Sequence, residues 1–371
     1  MDAAGNLKIG YVLYGTEGEE RLPENIAYYH RADRLREEAE GRGLQSDVVY
    51  SRRSSGDNSA TLRILRGAWL RDRMKDKRAL YAASAEACGL ASWAMRKTDV
   101  PIVYDVHTPI VGEKWMHFRM FPTARNFAVY VEACLSEAVC IKRSDMLLWC
   151  SSVQRDYYKR RGYPEARMRE VRHGVDLEKF RLGPMASSGA PVLCYAGTMV
   201  PYQGAESLVR AYKTVPVGKL RFKMIGFNAA DSAMRAEANA AGIETVAQIP
   251  HDRLLDELAG CDCTVIVAHP DAVKYKNGAA PTKWPESLAL GRPILSGDAY
   301  DTAQLIRDLG IGWVVPNSAE GMADGMRRLA EAPRSELAEM GRRARAEAER
   351  HYGWETVGDR FTAALLEASK R

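Results

Sequence analysis

The residues of this chain that are best suited to bind a ligand are Lys283 and Glu286, which lie in the first turn of a predicted helix. Apolar runs at residues 263–268 and 293–295 flank that helix and are typical of strands buried in a parallel sheet. Pro285 fixes the start of the helix. Proline has no backbone N–H, and in the first turn of a helix that group has no hydrogen-bond partner within the helix in any case. Lys283 would then lie beside free backbone N–H groups, which suits an anion such as a diphosphate. Glu286 could accept hydrogen bonds from a ribose attached to that diphosphate.

The same spacing also suits a plain solvated helix start, in which the two charged side chains only complement the helix dipole. Gly291 would end the helix in either case, as a C-cap glycine. Spacing alone leaves the two interpretations open.

A family resemblance favours the anion site. Residues 281–293, with the pattern Pro-x-Lys-x-x-Glu-x-Leu-Ala-x-Gly-Arg-Pro, resemble the donor-binding segment of retaining glycosyltransferases of family 4, which have the two-domain GT-B fold. Three other segments resemble the same family in the same order, namely Tyr104–His107, Arg172–Phe180 and the loop from Tyr195 to Gly204. The resemblance covers roughly residues 100 to 365.

The resemblance implies a nucleotide-sugar donor and a set of site residues. His107, directly after a predicted strand, would contact the donor sugar and stabilise charge as the glycosidic bond breaks. Without the resemblance, the same position would suit a loop histidine that is hydrogen-bonded to nearby backbone. The implied donor-binding residues are Gly15, Gly197, Thr198, Gln203, Gly204, Pro281, Thr282, Lys283 and Glu286. The resemblance further implies retention of anomeric configuration by a front-face reaction, in which the departing diphosphate takes the acceptor proton.

Two features depart from the common family pattern. The arginine and lysine that usually neutralise the diphosphate are replaced by Thr198 and Gln203, so Lys283 would carry most of that neutralisation. The glutamate usually found eight positions before Glu286 is replaced by Gly278, which leaves the donor sugar undetermined. The chain has no Asp-x-Asp pair to bridge a metal to a diphosphate, so we expect no metal and no other cofactor.

The elements around these residues alternate between strand and helix, which predicts an α/β fold with parallel sheets. A helix is expected from about residue 25 to 42, and residues 335–370 are expected to be helical with a break near Tyr352. The predicted strands are Leu7–Tyr14, Val48–Tyr50, Ile102–Tyr104, Met146–Trp149, Val192–Ala196, Arg221–Ile225, Cys263–Val267, Pro293–Leu295 and Gly312–Val315.

With the resemblance, this alternation implies two Rossmann-like domains that face each other across a cleft. We expect residues 1–183 to form an acceptor-side domain and residues 190–352 to form the nucleotide-sugar-binding domain. The segment between them, Gly183–Ala190, is rich in small and turn-forming residues and predicts a linker. The last helix, within residues 353–371, is expected to cross back to the first domain.

Composition excludes several other classes of protein. The chain has 371 residues, of which 46% are hydrophobic and 27% charged, as in an ordinary globular protein of two domains. It has no apolar run long enough to span a bilayer, and its first residues have no apolar signal-peptide core, so we expect a cytoplasmic protein. Seven cysteines without a Cys-x-x-Cys pair argue against a disulfide framework, and we expect Cys261 and Cys263 to pack in a core.

A basic segment at residues 62–78 suggests where an acceptor is found. It has seven basic and two acidic residues, interleaved with leucine, isoleucine and tryptophan, and could lie on anionic lipid at the inner face of the membrane. The alternative is a solvated surface helix. We therefore expect a glycan or lipid-linked acceptor, and no nucleic-acid partner, since no nucleic-acid-binding module is recognisable.

Three functions remain open at the level of the sequence. The first is a metal-independent, retaining transferase of the hexosyltransferase type that acts in glycoconjugate or surface-polysaccharide assembly. The second is a sugar-nucleotide epimerase on the same fold, which would need no acceptor. The third is a catalytically silent GT-B protein that acts as a binding or scaffold subunit, which the absent basic pair and Gly278 would explain.

Overall fold

The computed structural model describes residues 7–13, 26–50, 60–180, 183, 185, 188–269, 278, 280–281, 283–300 and 302–371. At residues 26–29, 60–66, 251–252 and 259 it describes the backbone alone. The chain divides into two compact units. The first unit comprises residues 1–174, 277–279 and 354–371, and the second comprises residues 175–276 and 280–353.

The elements of the described residues alternate along the chain as an α/β fold requires. The strands are β1 (Lys8–Leu13), β2 (Gln45–Tyr50), β3 (Ala79–Ala83), β4 (Ile102–Asp105), β5 (Met146–Trp149), β6 (Met168–Glu170), β7 (Val192–Ala196), β8 (Arg221–Phe227), β9 (Glu244–Ala247), β10 (Cys263–Ile266), β11 (Ile294–Gly297) and β12 (Gly312–Val315). The helices are α1 (Ile26–Gly41), α2 (Ala60–Met74), α3 (Ala85–Ala94), α4 (Ile110–Met120), α5 (Ala124–Arg143), α6 (Ser152–Arg160), α7 (Ala205–Tyr212), α8 (Ser232–Ala240), α9 (His251–Ala259), α10 (Lys283–Ala289), α11 (Thr302–Leu309), α12 (Ala319–Glu331), α13 (Arg334–His351) and α14 (Trp354–Ala368).

The first unit is built on a six-stranded parallel sheet with the strand order β2-β1-β3-β4-β5-β6. Every residue of β3 and β4 is buried, because helices cover both faces of the sheet. One face packs against α2, α3 and α5, and the other packs against α1 and α14. The ring centroid of Phe361 in α14 lies 6.5 Å from that of Tyr11 and 5.1 Å from that of Tyr81. The prediction that the last helix returns to the first sheet is confirmed.

The second unit has its own six-stranded parallel sheet, with the order β12-β11-β10-β7-β8-β9. The strand order reverses between β7 and β10, and in open α/β sheets ligands bind outside the carboxyl ends of the strands at such a point. At the amino-terminal side of this sheet, buried Arg292 donates hydrogen bonds to the carbonyls of Cys261 and Gly183. The predicted linker is described only at residues 183, 185 and 188–190.

Cys261 is buried in the core, as expected, and it also forms a disulfide bridge with Cys194 of β7, which the sequence did not predict. Their Cα atoms lie 5.9 Å apart, because Cys261 lies two residues before β10, the parallel neighbour of β7. Cys263 is a buried free thiol, as expected.

The predicted interfacial helix at residues 62–78 turns its large described apolar residues inward. Leu70 and Met74 are fully buried in the core, because they follow the helical period that faces the sheet. Arg73 and Lys77 form ion pairs with Asp47. The side chains of residues 62–66 lie outside the described set. No helix of the described residues has both the length and the apolar character needed to cross a bilayer.

Candidate functional site

The loops that follow β7 and β10 meet at the point where the strand order of the second unit reverses. Gly204 ends the loop after β7 in a left-handed conformation, with φ of 72°, and α7 begins at the next residue. A Cβ atom on Gly204 would lie 2.6 Å from the carbonyl carbon of Ala268, so only glycine fits. The backbone N–H of His269 donates to the carbonyl of Tyr202 at 2.9 Å. These contacts hold the two loops together.

Lys283 brings a positive charge to the end of β7. Its ammonium lies 4.5 Å from the ring centroid of Tyr195, a cation–π contact. A Cβ atom on Gly197 would come within 2.8 Å of the Lys283 Nζ, so the cation lies directly beside the backbone of this loop. The Tyr195 hydroxyl donates to the carbonyl of Thr198 at 3.1 Å, which fixes the ring beneath the cation. The sequence-predicted residues Gly197, Thr198 and Lys283 therefore share one site.

Gly226 supports this loop from the neighbouring strand. It has a φ of 119° and marks an irregularity in the pairing of β8 with β9. A Cβ atom there would clash with the carbonyl oxygen of Gly197. The N–H of Gly197 donates to the carbonyl of Ile225 at 3.0 Å. Sequence reasoning missed Gly226, although a glycine inside a strand is a recognised sign of close backbone approach.

The other predicted donor residues are only in part described. Glu286 is half-buried in the first turn of α10, and buried Pro281 accepts the N–H of Trp284 at 3.1 Å. Gln203 is half-buried at the end of the short helical turn before Gly204. Gly15 and Thr282 lie outside the described residues.

In the first unit, His107 lies just beyond the carboxyl end of β4 and is half-buried. Its ring meets the edge of the His173 ring, with centroids 5.4 Å apart. Burial, followed by the charge of Arg31 and the neighbouring His107, lowers the pKa of His173 well below its ordinary value. His173 is therefore a neutral imidazole at physiological pH, so it adds no positive charge beside His107.

A buried ion pair fixes the two segments that carry these histidines. Arg31 of α1 contacts both carboxylate oxygens of Asp105, at 3.0 and 3.1 Å. The same guanidinium donates to the carbonyls of Arg172 and Val171, at 2.7 and 2.8 Å. The Tyr81 hydroxyl adds a third bond to Asp105 at 2.7 Å. Sequence reasoning missed this network, because nothing in the helical pattern of α1 distinguishes a buried arginine from a solvated one.

Ser84 is a further residue that sequence reasoning missed. Among the described non-glycine residues it alone has a positive φ, of 107°, and it caps α3 at the carboxyl end of β3. Its backbone N–H donates to the carbonyl of Asp105 at 3.3 Å. Such strained residues often lie at functional sites, but no sequence signal marks a serine in this conformation.

Comparison with known proteins identifies the class and then the family. Two six-stranded parallel sheets, each in its own unit, are the architecture of the GT-B class, which solved glycosyltransferase structures share. Residues 25–179 match the family model described as Glycosyltransferase Family 4, and residues 179–347 match the model described as Glycosyl transferases group 1. Because the two matches adjoin and together run from residue 25 to residue 347, the chain belongs to the glycosyltransferases of the family-4 type.

Three similar solved structures agree with the fold. HepE of Anabaena in complex with UDP is 15% identical, with a TM-score of 0.70, over 97% of this chain and 100% of that one. Sucrose-phosphate synthase of Thermosynechococcus elongatus is 15% identical, with a TM-score of 0.71, over 94% and 96%. WaaG, a glycosyltransferase involved in lipopolysaccharide biosynthesis, is 15% identical, with a TM-score of 0.66, over 96% and 99%. At these identities the likeness shows the fold alone. No curated protein matches the sequence.

Proposed function

We propose that this protein is a retaining glycosyltransferase that moves a sugar from a nucleoside-diphosphate donor to a glycan or lipid-linked acceptor. The donor binds the second unit around Gly197, Gly204 and Lys283, with Glu286 on the ribose. His107 of the first unit contacts the donor sugar. The product belongs to glycoconjugate or surface-polysaccharide assembly, and the transfer needs neither a metal nor another cofactor.

The observation that carries this proposal is the position of Lys283. Its ammonium lies over the Tyr195 ring and beside Gly197, where the strand order of the sheet reverses. A lysine held there provides the charge that a departing diphosphate requires, and Thr198 and Gln203 provide none. A similar structure adds support, since Anabaena HepE was solved with UDP and with UDP-glucose.

The proposed reaction balances without an enzyme nucleophile. The acceptor oxygen forms a bond to the anomeric carbon as the bond from that carbon to the diphosphate oxygen breaks on the same face. The acceptor hydroxyl proton passes to the departing phosphate oxygen, while Lys283 stabilises its negative charge. The protein contributes mainly orientation and electrostatic stabilisation.

A donor panel tests this proposal. UDP-, GDP-, ADP- and dTDP-hexoses are incubated with lipid-linked and soluble glycan acceptors, with EDTA or with magnesium, and nucleoside diphosphate release is measured. We expect turnover of one nucleotide class in EDTA. Lys283→Met should lower kcat/KM by about 100-fold or more, because it removes a charge used in the transition state. His107→Ala should lower kcat.

Lys213→Met provides the matched control, because Lys213 is an exposed lysine of the same unit that pairs with Glu237. Its kcat/KM should equal that of the wild type. Full activity in both Lys283→Met and His107→Ala would contradict the site. An epimerised nucleotide sugar formed without acceptor would favour the epimerase, and binding without any turnover would favour the silent scaffold.

A further inference from the structure

The helical hairpin formed by α4 and α5 exposes an unusual amount of apolar surface. Of the eight large apolar side chains that are exposed among the described residues, seven lie in this hairpin. Leu135 is 65% exposed and Phe121 is 53% exposed. We call these seven residues the hairpin surface: Met120, Phe121, Phe127, Val129, Val131, Leu135 and Val139.

The apolar residues of α5 follow the helical period. Val131, Leu135 and Val139 recur every four residues, so they line one side of the helix, and exposed Ala128 and Ala138 lie on the same side. A helix that is apolar on its solvent side is the reverse of an ordinary surface helix, so this side is suited to an apolar partner.

The inner side of α5 is firmly held. Glu137 is fully buried and accepts hydrogen bonds from the hydroxyls of Tyr157 and Tyr158, at 2.8 and 3.1 Å. Arg161 forms an ion pair with the same carboxylate at 3.0 Å. These polar contacts fix which side of α5 faces the core, so the apolar side is presented to solvent by a well-anchored helix.

Aromatic rings join α5 to α4. Trp115 meets Tyr130 with centroids 5.1 Å apart, and Phe118 meets Phe127 at 5.4 Å. Tryptophan and tyrosine have apolar bodies with a polar end, which suits the boundary between lipid headgroups and acyl chains.

Positive charge flanks the hairpin surface at both ends. Exposed Arg119 and Arg125 lie on either side of the turn between the helices, and exposed Lys142 and Arg143 end α5. If two copies of this chain packed through the hairpin surface, the basic ends of their α5 helices would lie together whether the helices ran parallel or antiparallel, since both ends of α5 are basic. An anionic bilayer would instead neutralise all four residues at once.

We propose that the hairpin surface docks on an anionic phospholipid bilayer, with its apolar side chains at the headgroup boundary and the four basic residues on lipid phosphates. The docking site is thus α4–α5, whereas the described part of the 62–78 segment points its apolar residues inward. The docking does not depend on the proposed transferase reaction. If both hold, the first unit receives a lipid-linked acceptor.

Vesicle flotation of the full-length protein tests the docking. We expect the wild type to float with vesicles of equal parts phosphatidylcholine and phosphatidylglycerol, and poorly with phosphatidylcholine alone. The double variant Leu135→Glu and Val139→Glu should bind about tenfold less, because it places charge in the apolar side of α5. Val217→Glu is the matched control, since Val217 is a fully exposed apolar residue of the second unit, and it should bind like the wild type.

The basic residues are tested separately. Arg125→Gln with Lys142→Gln should weaken binding to the anionic vesicles several-fold and leave the weak binding to neutral vesicles unchanged. Lys75→Gln with Arg78→Gln, two exposed residues of the 62–78 segment, should have no effect. Loss of binding in this second pair, with binding kept in the first, would overturn the assignment to the hairpin.

Two other results would overturn the proposal. One is undiminished vesicle binding by the Leu135→Glu and Val139→Glu variant. The other is a wild type that is dimeric by light scattering and never floats, with the same variant monomeric, since that would make the surface a contact between copies. Circular dichroism verifies that the variants are folded. Nucleotide binding by the second unit is measured in parallel, so failure of the docking is distinguishable from failure of the proposed function.

Discussion

At the scale of single residues, the two histidines of the first unit differ in their surroundings. His107 is half-buried at the end of β4, whereas His173 is buried. The Nε2 atom of His173 has no hydrogen-bond partner among the described residues, and the positive charge of Arg31 acts on the ring. Both features make protonation of His173 costly in the folded protein.

This difference predicts a loss of stability in acid that depends on His173. Above pH 6.5, the ordinary value of its pKa, the imidazole is neutral in the folded and unfolded chains alike. Below that pH the unfolded chain takes up a proton that the folded chain resists, so stability falls until the lowered pKa of the folded state is reached. The cost at pH 5.5 is about 1 kcal/mol.

Urea unfolding at pH 7.5 and 5.5 measures this effect. His173→Asn removes the titrating group, so the wild type should lose about 1 kcal/mol more stability than the variant between the two pH values. Equal losses in the two proteins would contradict the account, because other titrating groups contribute to both alike.

At the scale of elements, one arginine of α1 ties together three segments of the first unit. Arg31 binds Asp105 at the end of β4 and the carbonyls of residues 171 and 172. Its removal leaves a buried carboxylate without its counterion, although Tyr81 still donates to it. The positions of both histidines depend on this contact.

Arg31→Met should therefore lower the free energy of unfolding by about 3–5 kcal/mol. Arg34→Met is the control on the same helix, because Arg34 is partly exposed and pairs with Glu37 at the surface. It should cost about 0–1 kcal/mol. Chemical denaturation of the two variants checks the difference, and equal costs would show that the buried pair has no special role.

The contact of β8 with the loop after β7 leads to a second prediction at this scale. Gly226→Ala adds a Cβ atom against the Gly197 carbonyl in a backbone conformation that alanine rarely adopts. We expect a loss of about 2–4 kcal/mol in stability, from backbone strain and the displaced loop, and weaker binding of nucleoside diphosphates.

Gly242→Ala separates the two causes, because Gly242 has a φ of 79° but open space around its Cβ position. It should cost about 1–2 kcal/mol from strain alone and leave nucleotide binding unchanged. Denaturation and nucleotide titration of both variants make the comparison. Equal nucleotide affinity in Gly226→Ala and the wild type would contradict a supporting role for β8.

At the scale of the whole molecule, the strands with β-branched or large apolar residues were predictable. Met146–Trp149, Val192–Ala196 and Gly312–Val315 have the predicted bounds. Strand β3 was not predicted, because Ala-Leu-Tyr-Ala-Ala has a weak intrinsic preference for a strand, and only its central place in the sheet makes it one. The charged and short edge strands β6 and β9 also lacked a periodic signal.

The candidate site was predictable only where its residues stand in a local pattern. Lys283 was found from its place at the start of a helix, and His107 from its place after a strand and the family resemblance. The role of Tyr195 was not predictable, since its contact with Lys283 joins residues far apart in the sequence and depends on how β7 and α10 pack. Arg31 lies 74 residues from Asp105, and 140 and 141 residues from the carbonyls of Val171 and Arg172. Contacts of this kind are set by tertiary packing, which no local period encodes.

In the proposed function, Lys283 anchors the diphosphate of a nucleotide. Thermal unfolding in EDTA with UDP, GDP, ADP or dTDP tests it directly, because a ligand at a hundred times its dissociation constant adds about 2.7 kcal/mol to the stability of the native state. We expect one diphosphate to raise the unfolding temperature of the wild type without metal, and we expect Lys283→Met to abolish most of the shift while Lys213→Met keeps it. A folded wild type that responds to none of the four, or a Lys283→Met variant that responds like the wild type, would contradict the account.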